Sequence, residues 1–289
     1  MSPRWYYVGA QGTVSDSTDP SLITWAKKHN KQIWAMVGNR SDQEATHQML
    51  SSTGARNTAI NQLTAVVSKY GLAGLNIDFE NVKPDDREYL TAFITLLAEK
   101  LKSLNVRLSI DVSPDLGTDW TEAFDYAALG KRVDYIVLMG YDEHYGGSRL
   151  PGANASLPYD QKAVTTLLKA VPSQKVILAL PFYNRDWSLM SNGTVASSEY
   201  ISLSEQNQMI TRHDTKPVWN TTLGQYVASY YKSSIKHIIW FEDGRSLIAK
   251  YNLAIQKQLA GVAYWYIGGE SSDIWTSLSN AEKFYDYSF

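Results

Sequence analysis

An α/β fold built on a parallel sheet, open and doubly wound or closed as a barrel, follows from three features of this sequence. Apolar strand-like runs alternate with helix-patterned segments; the runs cover residues 6–10, 32–37, 74–79, 107–114, 135–141, 175–183, 237–241 and 261–269. Polar, glycine or proline residues gather just past the carboxyl ends of these runs, where barrel enzymes place their sites. Gly38-Asn39, Glu80-Asn81, Asp142-Glu143-His144 and Gly268-Gly269-Glu270 are examples. The length, 289 residues, is long for an ordinary domain and usual for one α/β barrel.

The run at 73–80, Ala-Gly-Leu-Asn-Ile-Asp-Phe-Glu, carries the most information. As a strand it sends Asn76, Asp78 and Glu80 to one face and Leu75, Ile77 and Phe79 to the other. A helix-patterned segment precedes it (Ala59, Leu63, Val66, Val67, Tyr70), and another follows (Leu90, Phe93, Ile94, Leu97, Leu101) with Pro84, Asp85 and Asp86 at its start. A strand so flanked belongs to a helix-covered parallel sheet, where both faces are normally apolar. Three inward polar side chains are costly there unless paired or used. By the same alternation Asp111 points inward on the next strand, although Ser109 and Ser113 beside it suit a hydrogen-bonded structural role. The interval from Tyr183 to Gly261 is too long for a simple connection. Its polar stretch, Ser188 to Ser204, reads as irregular, followed by a short helix near Glu205 to Arg212.

Composition narrows the function classes. With 27 basic and 29 acidic residues, the formal net charge is −2, which argues against nucleic acid as a partner. No run approaches 18 consecutive apolar residues, so no membrane span is expected. The start, Met1 to Trp5, lacks a basic segment followed by an apolar one, so no secretory signal is expected. Zero cysteines exclude disulfides and thiolate metal sites. His144 and His213 have no metal-ligand spacing, and neither a metal nor another cofactor is implied. No Gly-x-Gly-x-x-Gly or Walker-type loop follows a strand, which weakens a nucleotide-binding open sheet. Nineteen tyrosines and nine tryptophans suit either core packing or a cleft that stacks on sugar rings.

The octet at 73–80 resembles the signature of glycoside hydrolase family 18, the chitinase-like enzymes, whose pattern is Asp-Gly-x-Asp-x-Asp-x-Glu. Gly74, Asp78 and Glu80 match, while Ala73 and Asn76 replace the first two aspartates. Met139-Gly140-Tyr141-Asp142 matches the family's Met-x-Tyr-Asp in full, and Trp265 fits the tryptophan ending the last strand. Leu180-Pro181-Phe182-Tyr183 is similar to the seventh-strand motif. Residues 239–246 resemble a segment of the bacterial branch, which includes spore-cortex and cell-wall N-acetylglucosaminidases and tolerates Asn at position 76.

The resemblance implies a TIM (β/α)8-type barrel over 1–289, interrupted at 184–245 by a small α+β insertion between strands 7 and 8. It assigns Ser2 to Tyr6 to the family's second strand, so the family's first strand and helix would be missing before Met1: either the start is truncated or the barrel closes some other way. Residues 237–243 then fall in the insertion and seven barrel strands remain, with an exposed edge as the expected liability.

The resemblance further implies a substrate-assisted retaining mechanism, in which the substrate's 2-acetamido carbonyl is the nucleophile. Glu80 would be general acid and then base, and Asp78 would stabilise the oxazolinium-like intermediate. At i and i+2 on one face the two carboxyls would sit close enough to share a proton. Asn76 can hydrogen-bond Asp78 but cannot hold its charge. Tyr141 would donate to the acetamido oxygen, Asp142 would fix the sugar, and Trp265 would form its floor. Met139 joins them as part of the motif, with Tyr183 and Trp187 as flanking-subsite candidates. The expected partner is an N-acetylglucosamine-containing polysaccharide, peptidoglycan or chitin, cleaved by a monomer that acts outside the cell or at the wall. Two other classes compete: a chitinase-like lectin without activity, and a barrel acting on phosphorylated metabolites. The second needs a phosphate loop, and Glu270 beside Gly268-Gly269 would repel phosphate.

Overall fold

The computed structural model describes residues 1–117 and 119–286. They fall into two compact units, Met1–Leu138 with Thr166–Val176, and Met139–Thr165 with Ile177–Phe289.

The first unit contains β1 (Arg4–Val8), β2 (Val14–Asp16), α1 (Pro20–Lys28), β3 (Trp34–Gly38), α2 (Gln43–Ser51), α3 (Thr53–Tyr70), β4 (Gly74–Asp78), α4 (Arg87–Ser103), β5 (Arg107–Val112), α5 (Tyr126–Arg132) and β6 (Tyr135–Met139, up to Leu138). Its strands lie in the order β6-β5-β4-β3-β1-β2, and all but β2 are parallel. The outer edge of β1 is not bare: β2 pairs with it antiparallel over three residues. Local chemistry sets the helix ends. Asp19, Asp42 and Ser52 cap α1, α2 and α3, and Gly71 ends α3 in the left-handed region. Leu75, Ile77 and Phe79 are buried, and Phe79 stacks on Phe93 of α4 with centroids 5.7 Å apart. That packing turns Asn76 and Asp78 to the opposite face. Gly74 is needed for space, because a Cβ there would come within 2.7 Å of Trp34 Cγ.

The second unit holds α6 (Leu157–Leu167, up to Thr165) and β7 (Val176–Pro181, from Ile177), then β8 (Tyr183–Leu189), β9 (Val195–Ser202), α7 (Leu203–Arg212), β10 (Val218–Asn220), β11 (Gln225–Lys232), β12 (Ile235–Phe241), α8 (Gly244–Gln256), β13 (Gly261–Trp265) and α9 (Ser272–Asp286). β13 pairs parallel with β7, Trp265 facing Pro181. A separate antiparallel sheet has the order β10-β11-β12-β8-β9 and a small core of Ile201, Ala228, Tyr230, Ile239 and Phe241, with Met209 and Ile210 of α7 packed on it.

Two expectations need correction. Residues 188–204 are not irregular: β8 and β9 form a hairpin there, cross-linked by Ser188 and Ser197 hydroxyls 2.7 Å apart. Only Ile201 of β9 is buried, so the strand has no apolar alternation to reveal it. The run 175–183 is two strands, since β7 ends at Pro181 and β8 begins at Tyr183.

A buried ion pair anchors the small sheet to α8. Glu242, at the end of β12, and Lys250 of α8 are both fully buried and in direct contact. Glu242 also accepts from Ser246 Oγ at 2.7 Å and from Gln225 Nε2, while its carbonyl accepts from Gln206 Nε2 at 2.8 Å. Burial pushes the Glu242 carboxyl up, against the pull of Lys250. Lys250→Met should leave that carboxyl uncompensated and cost about 3–5 kcal/mol in urea unfolding. A loss below about 1 kcal/mol would show that the pair does not anchor the sheet.

Candidate active site

Each unit presents its own polar cluster. In the first, β4 and β5 run parallel in the register Asn76↔Ser109 and Ile77↔Ile110. Asn76 donates from Nδ2 to Asp111 Oδ2 at 2.7 Å and accepts from Ser109 Oγ at 2.5 Å. The amide of Asn76 is thereby oriented and buried without an orphaned group. Its partner is Asp111, so the inward position on β5 belongs to the cluster. Asp78 is mostly shielded, and its carboxyl is pushed up to about 7, first by burial and then by the negative charge of Glu80, against the opposing charge of Arg4. Asp111 is held well above the usual carboxylate range by its burial and by Asp78, and the Asn76 hydrogen bond only partly offsets this.

Glu80 lies two residues past the end of β4, half-buried. Asn39, just past β3, clamps its backbone: Nδ2 donates to the Glu80 carbonyl at 2.7 Å, and the Glu80 N–H donates to Oδ1 at 3.0 Å. Ser41 Oγ donates to Glu80 Oε2 at 2.7 Å. Arg40, Ser41 and Asn81 all take positive φ (57°, 53° and 54°), uncommon for residues with a Cβ. Such strain persists only where neighbours over-determine the backbone. Here Asn81 Nδ2 holds the Ser41 carbonyl at 3.1 Å, and Gln43 Nε2 holds Asn81 Oδ1 at 3.2 Å.

In the second unit the Met139-Gly140-Tyr141-Asp142 segment runs along β7, with the Gly140 N–H on the Ala179 carbonyl at 2.8 Å. A side chain at Gly140 would strike Asp160 Oδ1 at 2.5 Å. Met139 and Tyr141 are half-buried, and the Tyr141 carbonyl accepts from Tyr159 OH at 3.1 Å. Asp142 is exposed at φ 59°. It accepts from Tyr183 OH at 2.8 Å, while its N–H donates to Asn154 Oδ1 at 3.1 Å. Asn154 also holds the Tyr183 carbonyl at 3.1 Å, which closes the ring of contacts. Burial and the Asp142 charge both push the Tyr183 phenol up, so it stays a donor. Trp265 is half-buried, and Tyr266 beyond it is exposed. From Tyr183 the rings of Tyr200 and Tyr266 follow in stacked succession at 5.2 and 6.0 Å.

Trp187 does not fit its expected role as a subsite. It is fully buried with its indole N–H on the Gly152 carbonyl at 3.0 Å, leaving no face for a sugar. Tyr183 is also buried and acts on Asp142 rather than offering an open platform. The sequence reading missed Ser41, the clamp by Asn39 and the support from Asn154. Asn39 had a signal, as a polar residue at a strand end, whereas Asn154 sits in a loop twelve positions from the backbone it holds.

Residues 12–270 match the family model described as Glycosyl hydrolases family 18. The chain belongs to that family. It is a glycosidase by membership. It is 29% identical over 283 residues to YvbX, an uncharacterised glycosylase of Bacillus subtilis (strain 168), covering 94% of this chain and 81% of that one. It is 25% identical over 300 residues to the cortical fragment-lytic enzyme of the same organism, covering 96% and 68%. For the corresponding enzyme of Bacillus cereus, the chain spans 64% of the relative's length. A solved chitinase from Chromobacterium violaceum superposes with a TM-score of 0.90 at 22% identity, covering 97% of this chain and 90% of that one. That likeness establishes an α/β barrel-like fold.

Asp78 binds its proton more tightly folded, at about 7, than unfolded, at 3.8. Its contribution to stability is therefore fully present below about pH 4 and is lost as pH rises through about 7. Asp78→Asn should be more stable than the parent at pH 8 and similar to it near pH 3.5, by urea unfolding at both values. Equal differences at the two values would contradict the burial argument.

Proposed function

We propose that this glycosidase cleaves β-linked N-acetylglucosamine-containing polysaccharide by a substrate-assisted retaining mechanism. The observation that carries the reading is the fixed Glu80, held by Asn39 and Ser41 beside an Asp78 that keeps a proton near neutral pH. Glu80 protonates the leaving glycosidic oxygen and later takes the proton from the attacking water. Asp78 accepts the acetamido N–H and so aims the amide oxygen at the anomeric carbon. On the family motifs alone, Tyr141 is the donor to the acetamido oxygen, Asp142 a sugar ligand and Trp265 a stacking floor, and Met139 belongs to the same motif as Tyr141 and Asp142. Asn76 orders the cluster behind Asp78.

Cell-wall or cortex glycan is the favoured substrate, because the chain resembles a cortical fragment-lytic enzyme along nearly its whole length. The site of action is then the wall or spore cortex, and a monomer suffices. Chitin is the nearest alternative.

Glu80→Gln should fold normally and lose about 10²–10⁴-fold in turnover, with the parent releasing new reducing N-acetylglucosamine ends from peptidoglycan by mass spectrometry. Retained hydrolysis in that variant would remove Glu80 from the mechanism. Products from chitin oligomers alone would reassign the substrate, and absence of any products from the parent would favour the binding-only alternative.

A further inference from the structure

The family pattern has a carboxylate where this chain has Asn76, and a neutral amide cannot take up a proton from Asp78. A carboxyl is nevertheless present one strand away. The β4–β5 register, carried one step past Ile77↔Ile110, sets Asp78 alongside Asp111 on strands about 4.8 Å apart. Asp111 is almost wholly buried. Its Oδ2 is occupied by Asn76, while its Oδ1 is buried with no hydrogen-bond partner among the described residues. Ser109 occupies the acceptor of Asn76, so the amide can only donate toward Asp111. A purely structural role would be served by an amide or hydroxyl at position 111. An ionised carboxylate with one bare oxygen is a costly choice for packing alone. The charges acting on this pair are the carboxyl of Glu80, which raises both, and Arg4, which opposes on Asp78.

We propose that Asp111 supplies from β5 the proton-holding carboxyl that position 76 lacks, acting through Asp78 as a positioning residue. The inference rests on the hydrolase reading and deepens it. At rest the two carboxyls share one proton and a net charge of −1. When substrate binds, the O–H bond to Asp78 gives way to one held wholly by Asp111, so Asp78 meets the acetamido N–H as a carboxylate. The charge of the pair is unchanged and no proton leaves the site. The proton returns when product departs, and the proton on Glu80 is a separate one. The exchange of an acid and an amide between neighbouring strands would keep the proton inventory intact.

Asp111→Asn preserves size and can still accept from Asn76. It should lower kcat/KM about 10–100-fold and move a limb of its pH profile toward acid by about one unit, because Asp78 loses its like-charged neighbour. The exchange variant, Asn76→Asp with Asp111→Asn, should return both the rate and the profile to within about threefold of the parent. An unmoved profile in Asp111→Asn, or an exchange variant no better than that single change, would overturn the proposal. Carbon-13 titration of labelled aspartate carboxyls reads the same pair without turnover. Asp78 should titrate near neutral pH in the parent and move toward acid by about one unit in Asp111→Asn, since burial and Glu80 still hold it up; no such resonance, or one that does not move, would overturn it too. Should Glu80→Gln match the parent, the hydrolase reading falls while this titration still decides whether the proton is shared.

Discussion

The desolvation of Asp78 within a parallel sheet is the constraint on which the first unit is built. Strands flanked by helices are ordinarily apolar on both faces, yet the inner positions of β4 and β5 carry Asn76, Asp78, Ser109 and Asp111. Burying such groups is tolerable only when hydrogen bonds satisfy them or protons neutralise them. Ser109 and Asp111 satisfy Asn76, while Asp78 and Asp111 resist ionisation. The same desolvation that burdens the folded state leaves a carboxyl poised near neutral pH, as acid–base chemistry requires.

Around that cluster the structure spends its strain locally. Arg40, Ser41 and Asn81 are left-handed, and Asn39 fixes the backbone of Glu80 rather than its side chain. The carboxylate is thus aimed by the main chain and trimmed by one hydroxyl. In the second unit Asp142 is likewise held by others, Tyr183 on its side chain and Asn154 on its backbone. Glu80 and Asp142 both sit on loops that follow rigid strands, which is how a stable scaffold carries variable chemistry.

Much of this was legible because period-2 alternation survives wherever one face is apolar. Leu75, Ile77 and Phe79 announced β4 and its orientation, and the Met-x-Tyr-Asp match located Tyr141 and Asp142. The β8–β9 hairpin was not legible, since β8 buries polar residues as well as apolar ones and β9 buries only Ile201, so neither strand sets a buried apolar face against a solvent-facing polar one. Trp187, a flanking-subsite candidate from the resemblance, misled because its ring is interior and its N–H is satisfied by a distant loop. The partnership of Asn76 with Asp111 depends on strand register, which no local pattern reports.

The central claim is that this acid cluster cleaves amino-sugar polymers with the substrate's own amide as nucleophile, which fixes stereochemistry. Proton NMR of an N-acetylglucosamine oligomer digest, recorded before the anomers equilibrate, reads it directly. The account predicts that the newly formed reducing ends carry the β configuration. Reducing ends formed in the α configuration would mean direct attack by water and would contradict it.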